Sequence, residues 1–98
     1  MKINKTKNGS SLTVAVEGRI DTVTAPEFES DVKGAIDGID ALILDFEKVS
    51  YLSSAGLRVL LSLHKIMNKR GTMTVKNANE TVKDIFEVTG FSEILTIE

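Results

Sequence analysis

Residues 45–61 read DFEKVSYLSSAGLRVLL, and this stretch decides the fold because a strand passes there through a short loop into a helix. The strand is predicted over residues 41–46, where a continuous apolar run is typical of a strand covered on both faces. The helix is predicted from Ser53 to about Arg70, because apolar residues recur at helical spacing after the serines. Either Ser53 or Ser54 suits the helix start, since a serine oxygen accepts a hydrogen bond from an unpaired amide of the first turn. We therefore expect function at this loop.

Strands and helices alternate along the rest of the chain, with short connections. An Asn8-Gly9 dipeptide joins two runs into a predicted β-hairpin. The other predicted elements are a helix over residues 24–38, a strand over residues 72–76, a helix over residues 79–90 and a last short strand over residues 94–97. This order predicts one α/β domain over residues 1–98. Its sheet is mainly parallel, with the N-terminal hairpin strand at one edge and helices packed on it.

Caps and core positions are assigned from local pattern. Thr24 and Glu27 have the spacing of a capping box, with Pro26 in the first turn of the helix. Tyr51 and Leu52 are interpreted as core plugs before the second helix. The remaining predicted core positions are Leu12, Val14, Ile43 and Leu60, together with the helix faces Phe28, Val32, Ala35, Ile36 and Val82, Ile85, Phe86, Val88.

Gly56 and Arg58 stand out within the predicted second helix. Glycine in a helix interior costs about 1 kcal/mol relative to alanine, so something is expected to offset that cost. Close approach of a partner surface or of the neighbouring strand end would do so. Arg58 is a solvent-facing residue by default, and docking to a partner is the alternative.

Composition excludes several classes of function. Twelve basic and fourteen acidic residues are spread along the chain for a net charge of −2, with no basic cluster to bind nucleic acid. The N-terminus lacks the apolar run of a signal peptide and no stretch is long enough to span a bilayer, so no direct membrane insertion is expected. Without cysteine there is no disulfide framework and no thiol nucleophile. We expect a cytoplasmic protein.

The residues offer little for catalysis or for a cofactor. His64, the only histidine, follows Ser54 by about 15 Å along the predicted helix, too far for a nucleophile and its base. One histidine and no cysteine leave only scattered carboxylates, so neither a metal site nor a cofactor is predicted. Asp21 and Asp45 each follow a predicted strand and form the one enzymatic alternative, as a general acid and base. Turn and cap hydrogen bonding is the commoner role of such aspartates.

Two separate elements resemble the STAS domains, in particular the bacterial anti-sigma factor antagonists, and the resemblance covers nearly the whole chain. Residues 16–21, VEGRID, followed by residues 24–27, TAPE, are similar to the family's Gly-x-Leu-Asp turn before its first helix. Residues 53–57, SSAGL, are similar to its phosphorylation loop, usually Asp-Ser-Ser-Gly-Leu. The resemblance implies that Ser54 is the phosphate acceptor. Ser53 stands where the family usually has Asp and is a rival acceptor, and Ala55 replaces a second hydroxyl residue of many members.

The resemblance implies an interaction protein and not an enzyme. Its unphosphorylated form would bind an anti-sigma factor that is also a serine kinase, and so release a sigma factor. The kinase would phosphorylate Ser54 from ATP, and a serine phosphatase would reset the protein. Both motif elements end strands at the carboxyl edge of the sheet, which predicts a partner-binding surface of Asp21, Thr22, Ser53, Ser54, Gly56 and Arg58. The alternative is a STAS subunit of a lipid-transport or stress-signalling assembly that is never phosphorylated. The oligomeric state stays open.

Overall fold

A five-stranded sheet with three helices makes up the structure, a computed structural model that describes residues 1–98. The strands are β1 (Lys2–Asn8), β2 (Ser11–Ile20), β3 (Ala41–Leu52), β4 (Thr72–Lys76) and β5 (Thr96–Ile97). The helices are α1 (Ala25–Lys33), α2 (Ser54–Met67) and α3 (Glu80–Thr89), followed by a 3₁₀ turn (Phe91–Glu93). The strand order is β1-β2-β3-β4-β5. β1 is antiparallel to β2, and the remaining three pairs of neighbouring strands are parallel. The predicted α/β fold, with the hairpin strand at the edge, is confirmed.

The hairpin turn lies one residue later than the dipeptide Asn8-Gly9 suggested. Asn8 still pairs with Ser11, so the two loop residues are Gly9 and Ser10. Gly9 has a φ of +63°, which a two-residue hairpin of the type II′ class requires at its first loop position. The glycine therefore sets the turn, and Asn8 ends the strand.

The helices cover only one face of the sheet, so the prediction that β3 is buried on both faces was wrong. Leu42 and Leu44 are buried, whereas Ile43 between them is half-buried on the other face. Ile43 lies beside Thr13 of β2 and Thr74 of β4 in the paired register. Its assignment to the core was therefore wrong. Neighbouring strands shield part of its side chain, but no helix packs on it.

The core lies between the sheet and the three helices. It is one cluster of 25 buried residues, and no polar or charged residue is buried in it. The ring centroids of Phe28 in α1 and Phe46 in β3 are 6.4 Å apart at an interplanar angle of 59°, an arrangement aromatic pairs favour. Leu12, Val14 and Leu60 are buried as predicted. A wholly apolar core of this kind positions the helix starts but supplies no chemistry.

β3 is longer than the apolar run that predicted it. It continues through Leu52, so residues 47–52 form strand where a loop was expected. The pairing of β2 with β3 shifts register between Ala15 and Glu17 and again between Gly18 and Arg19. Beyond the first shift the alternation of buried and exposed residues is lost. Because strand prediction rests on that alternation, the second half of β3 was not predicted to be a strand.

Both longer helices end earlier than predicted. α1 ends at Lys33 and is capped by Gly34, although Ile36 beyond it is still buried. α2 ends at Met67, and the N–H of Gly71 donates to the Met67 carbonyl over 2.7 Å. After α1, the apolar residues Ala35 and Ile36 continued the helical pattern without the helical backbone. After α2, the basic pair Lys69 and Arg70 before Gly71 resembled the last turn of a helix but lies in the turn that follows it. No helix combines the length and the apolar character needed to cross a bilayer.

α3 has the predicted caps. The Oδ1 atom of Asn79 accepts the N–H of Val82 over 2.9 Å, and Gly90 ends the helix with a φ of +82°. Val82 and Phe86 are buried, but Val88 is 86% exposed and does not belong to the packed face as predicted. The helix therefore packs through a narrower stripe than its sequence suggested.

Candidate functional site

The segments that follow β2 and β3 lie side by side at the carboxyl edge of the sheet. Ile20 pairs with Leu52 at the last position of each strand. One residue later, Ser53 donates its backbone N–H to the Ile20 carbonyl over 2.9 Å. The turn that begins at Asp21 and the start of α2 are therefore neighbours, at the edge where ligands of open α/β sheets gather. The structure brings the two motif elements together.

The two serines at the start of α2 differ in what their hydroxyls do. Ser53 is the N-cap, with an extended backbone, and its Oγ accepts the N–H of Gly56 over a long 3.4 Å. Its side chain is half-buried. Ser54 is the first helical residue and is exposed, and its hydroxyl makes no hydrogen bond within the domain. Of the two, Ser54 offers the free hydroxyl.

Gly56 faces the interior of the domain. A β-carbon there would lie 2.9 Å from the Cγ2 atom and 2.9 Å from the carbonyl oxygen of Ile20, and 3.0 Å from Leu52. Of the two explanations for this glycine, the structure shows the close approach of the neighbouring strand end. Gly56 is buried, so it supports the predicted partner surface from beneath and presents no side chain to it.

The carboxylate of Asp21 is engaged in its own turn. Its Oδ1 atom accepts the N–H of Val23 over 3.0 Å and that of Thr24 over 3.1 Å, and its Oδ2 lies 3.6 Å from Nε of Arg19. The Thr24 amide above all holds the pKa of Asp21 below its ordinary value, against a smaller opposing effect of lost hydration. The Thr24 hydroxyl, the Val23 amide and the Arg19 charge also lower that pKa. Asp21 is thus a charged turn residue.

The predicted capping box at Thr24 is absent. Thr24 precedes α1 with a helical backbone, φ −92° and ψ −21°, and its side chain makes no cap hydrogen bond. Its Oγ1 instead accepts the N–H of Asp21 over 2.9 Å, and its O–H donates to the Arg19 carbonyl over 2.8 Å. The hydroxyl that the sequence assigned to the helix therefore closes the turn before it.

Asp45 lies far from this site. Its Oδ1 accepts the N–H of Glu47 and an N–H of the Asn77 side chain, each over 3.1 Å, partway along β3. Asp21, by contrast, follows the strand residue that pairs with Leu52. At about 3.3 Å per residue, the two carboxylates are separated by roughly 20 Å of strand. The interpretation of Asp21 and Asp45 as a general acid and base was therefore wrong.

A groove of about 440 Å³ opens between α1 and α2, next to Ser54. It is lined by Thr22, Ala25, Pro26, Glu29, Ala55, Arg58, Val59 and Ser62. Thr22 is exposed at its edge, and Arg58 is exposed one helical turn beyond Ser54. Arg58 forms no ion pair, whereas Glu29 across the groove is paired with Lys33 over 2.9 Å. Thr22, Ser54 and Arg58 thus share one exposed surface.

Two exposed residues near this surface were not predicted as such. Val23 was not singled out from the sequence, and Tyr51 was assigned to the core. Val23 is 84% exposed in the turn after Asp21, and an apolar side chain inside a polar turn was the available signal. Tyr51 was interpreted as a core plug, but it is 37% exposed with the Arg19 guanidinium 4.5 Å from its ring centroid. Only Leu52 of that pair is buried. Val23, next to the exposed Thr22, adds an exposed apolar side chain to this region.

Comparison with known proteins gives consistent results for the whole chain. The family model described as STAS domain matches residues 2–98. An anti-sigma-B factor antagonist of Listeria monocytogenes is 30% identical over 97 residues, which are 96% of this chain and 84% of that protein. The crystal structure of an anti-sigma factor antagonist from Mycobacterium paratuberculosis superimposes with a TM-score of 0.89 at 25% identity, over 98% of this chain and 83% of that one. The unphosphorylated form of the anti-sigma factor antagonist SpoIIAA, at 17% identity, shares the fold with a TM-score of 0.84 over 99% of this chain and 88% of that one.

Proposed function

The chain belongs to the STAS domain family, and from that premise we propose that it is an anti-sigma factor antagonist controlled by phosphorylation of Ser54. Its unphosphorylated form binds an anti-sigma factor that is also a serine kinase, and so releases a sigma factor. The kinase then transfers a phosphate from ATP to Ser54, and the complex dissociates. A metal-dependent serine phosphatase returns the protein to its binding form. The protein acts in the cytoplasm and catalyses no step itself.

The position of Ser54 is the observation that carries this proposal. An exposed hydroxyl without a hydrogen bond stands at the first residue of α2, beside the turn of Asp21. The rival acceptor Ser53 is half-buried, and its oxygen already caps the helix. A kinase therefore meets the hydroxyl of Ser54 without disturbing the helix start.

The start of α2 also accommodates a phosphate. The amides of Ser54 and Ala55 have no acceptor within the helix, and the first turn contains no acidic residue. A phosphate adds roughly −1.5 to −2 charges, which the positive end of the helix dipole stabilises. The phosphorylated domain therefore stays folded, and the modification acts on binding and not on the fold.

Phosphorylation blocks the partner by the cost of desolvation. The surface formed by Thr22, Val23, Ser54 and Arg58 is open to solvent, and a partner that covers it removes water from Ser54. A phosphate dianion covered by a partner that has no matching cation loses hydration worth more than the few kcal/mol that separate binding from no binding. The neutral hydroxyl carries no such penalty. The unphosphorylated form is therefore the one that binds.

The test starts with a pull-down of the protein from its native host, followed by mapping of phosphorylated residues. We expect a serine kinase among the bound proteins and phosphate on Ser54. Ser54→Ala should bind that kinase constitutively, Ser54→Asp should bind weakly while remaining folded, and Ser53→Ala should still be phosphorylated. A folded Ser54→Asp protein that binds as tightly as wild type would refute the switch. Loss of phosphate in Ser53→Ala alone would move the acceptor to Ser53.

The second candidate is a STAS subunit of a lipid-transport or stress-signalling assembly that is never phosphorylated. It is favoured by Ser53, which occupies a position where the resemblance leads one to expect an aspartate. The same pull-down separates the two. Transporter or stress-assembly subunits would be recovered in place of a kinase, and Ser54 would carry no phosphate.

A further inference from the structure

Arg58 is the one charged side chain in the first half of α2. From Ser54 to Leu63 the helix carries no other ionisable residue. Arg58 is exposed and forms neither an ion pair nor a hydrogen bond with any other residue. A guanidinium without a partner, one turn after the proposed phosphate acceptor, is free to respond to that phosphate.

The acidic groups that face the same region are already engaged. Asp21 in the neighbouring turn accepts two backbone amides and lies 3.6 Å from Arg19. Glu29, across the groove on α1, is paired with Lys33 over 2.9 Å. Neither carboxylate holds Arg58 within 4 Å, so a new anion on α2 meets no competitor for its guanidinium.

The spacing favours an ion pair along the helix. Residues four apart lie on the same helix face, and an anion placed N-terminal to a cation is the better orientation. The planar guanidinium matches a phosphate with two parallel hydrogen bonds, which an ammonium cannot do. A phosphate on Ser54 therefore has a suitable donor within reach, in addition to the free amides of the helix start.

We propose that Arg58 becomes the intramolecular counter-ion of phosphorylated Ser54. This inference rests on the proposed function, because it needs phosphate on Ser54. Without the phosphate, Arg58 borders the groove between α1 and α2 and is available to a carboxylate of the partner. With the phosphate, Arg58 turns back along α2. Phosphorylation then changes the state of two side chains on the partner surface, the modified serine and the arginine it captures.

The experiment uses protein in which phosphoserine is installed at position 54 during synthesis, independently of any kinase. The ³¹P resonance is titrated with pH in wild type, Arg58→Gln and Arg58→Lys. Removing the cation should raise the second pKa of the phosphate by about 0.3 unit, the equivalent of one helical ion pair. Arg58→Lys should fall between the two. Lys65→Gln removes an exposed positive charge from the far end of the same helix and should match wild type.

A second readout follows the guanidinium itself. The Nε–H resonance of Arg58 should shift and become protected from solvent exchange when Ser54 carries phosphate, and should not do so in the unmodified protein. An unchanged Nε–H resonance, or a phosphate pKa that is the same in Arg58→Gln and wild type, would overturn the inference. Both readouts are independent of the kinase. Failure of the host kinase to modify Ser54 would instead overturn the proposed function and leave these results standing.

Discussion

Gly56 packs its α-carbon against Ile20 so closely that a β-carbon at Gly56 would lie 2.9 Å from the Ile20 carbonyl oxygen. That same carbonyl accepts the N–H of Ser53 over 2.9 Å. The close contact between Gly56 and Ile20 therefore holds the start of α2 against the end of β2. The position of Ser54 beside the turn of Asp21 depends on it.

Gly56→Ala should destabilise the domain even though alanine is the better helix former by about 1 kcal/mol. The added methyl group forces α2 away from β2, and overpacking of this kind costs about 1 to 3 kcal/mol. Thermal unfolding followed by circular dichroism should show a melting temperature lower by roughly 4–8 °C for each kcal/mol. Lys65→Gly, at an exposed position of the same helix, is the control for helix propensity alone and should cost up to about 1 kcal/mol. A Gly56→Ala protein as stable as wild type would contradict the close approach.

The N-cap of α3, Asn79, should contribute more to stability than the N-cap of α2, Ser53. Asn79 accepts the Val82 N–H over 2.9 Å and also donates to the Val49 carbonyl over 3.0 Å, which ties α3 to β3. Ser53 makes one cap bond at 3.4 Å. Within the usual range of about 0.5–2 kcal/mol for cap removal, Asn79→Ala should lie near the top and Ser53→Ala near the bottom. Urea denaturation of both variants measures the difference, and the reverse order would argue against this geometry.

Asp21→Asn should reduce stability in a pH-dependent way. Because the pKa of Asp21 is lowered by the amides of its turn, the ionised carboxylate stabilises the folded state above its ordinary pKa of 3.8. That contribution is lost as pH falls through the lower folded value. The stability difference between wild type and Asp21→Asn should therefore be largest near pH 7 and shrink below about pH 4. Urea denaturation at several pH values provides the measurement.

The control for this prediction is Asp37→Asn. Asp37 is exposed in the turn after α1 and its side chain makes no hydrogen bond. The substitution removes the same charge without removing a bonded carboxylate. A stability difference for Asp21→Asn that stays constant from pH 7 to pH 3, or one that Asp37→Asn reproduces, would refute the role of the turn.

Val23→Ser should weaken binding to the proposed kinase without affecting the fold. The side chain is 84% exposed beside Thr22, so its loss should change stability by less than about 0.5 kcal/mol. If the partner covers Val23, the lost apolar contact is worth about 1 kcal/mol, or roughly fivefold in Kd. Val88→Ser is a matched control, since Val88 is 86% exposed and lies near the end of α3. Calorimetry on both variants decides the matter, and equal loss in both would exclude a specific contact at Val23.

Most of the secondary structure was predictable because its signals are local. The strand Thr72–Lys76 lies where its residues predicted it, and Asn79 and Gly90 bound α3 as expected. The meeting of the two chain segments at the candidate site was predictable for a similar reason. Both motif elements end strands, and the parallel order of those strands places their carboxyl ends at one edge.

The sequence by itself determined the order of strands and helices, the parallel sheet and the chain segments that meet at its carboxyl edge, because periodicity, turn residues and caps act over a few neighbouring residues. Only the tertiary structure decided which face of β3 the helices cover, and so that Ile43 stays outside the core. It also decided that the Thr24 hydroxyl serves the turn of Asp21 and that Gly56 faces Ile20. Each of these outcomes depends on contacts between segments that are distant in the sequence. A local sequence pattern carries no information about which groups compete for those contacts.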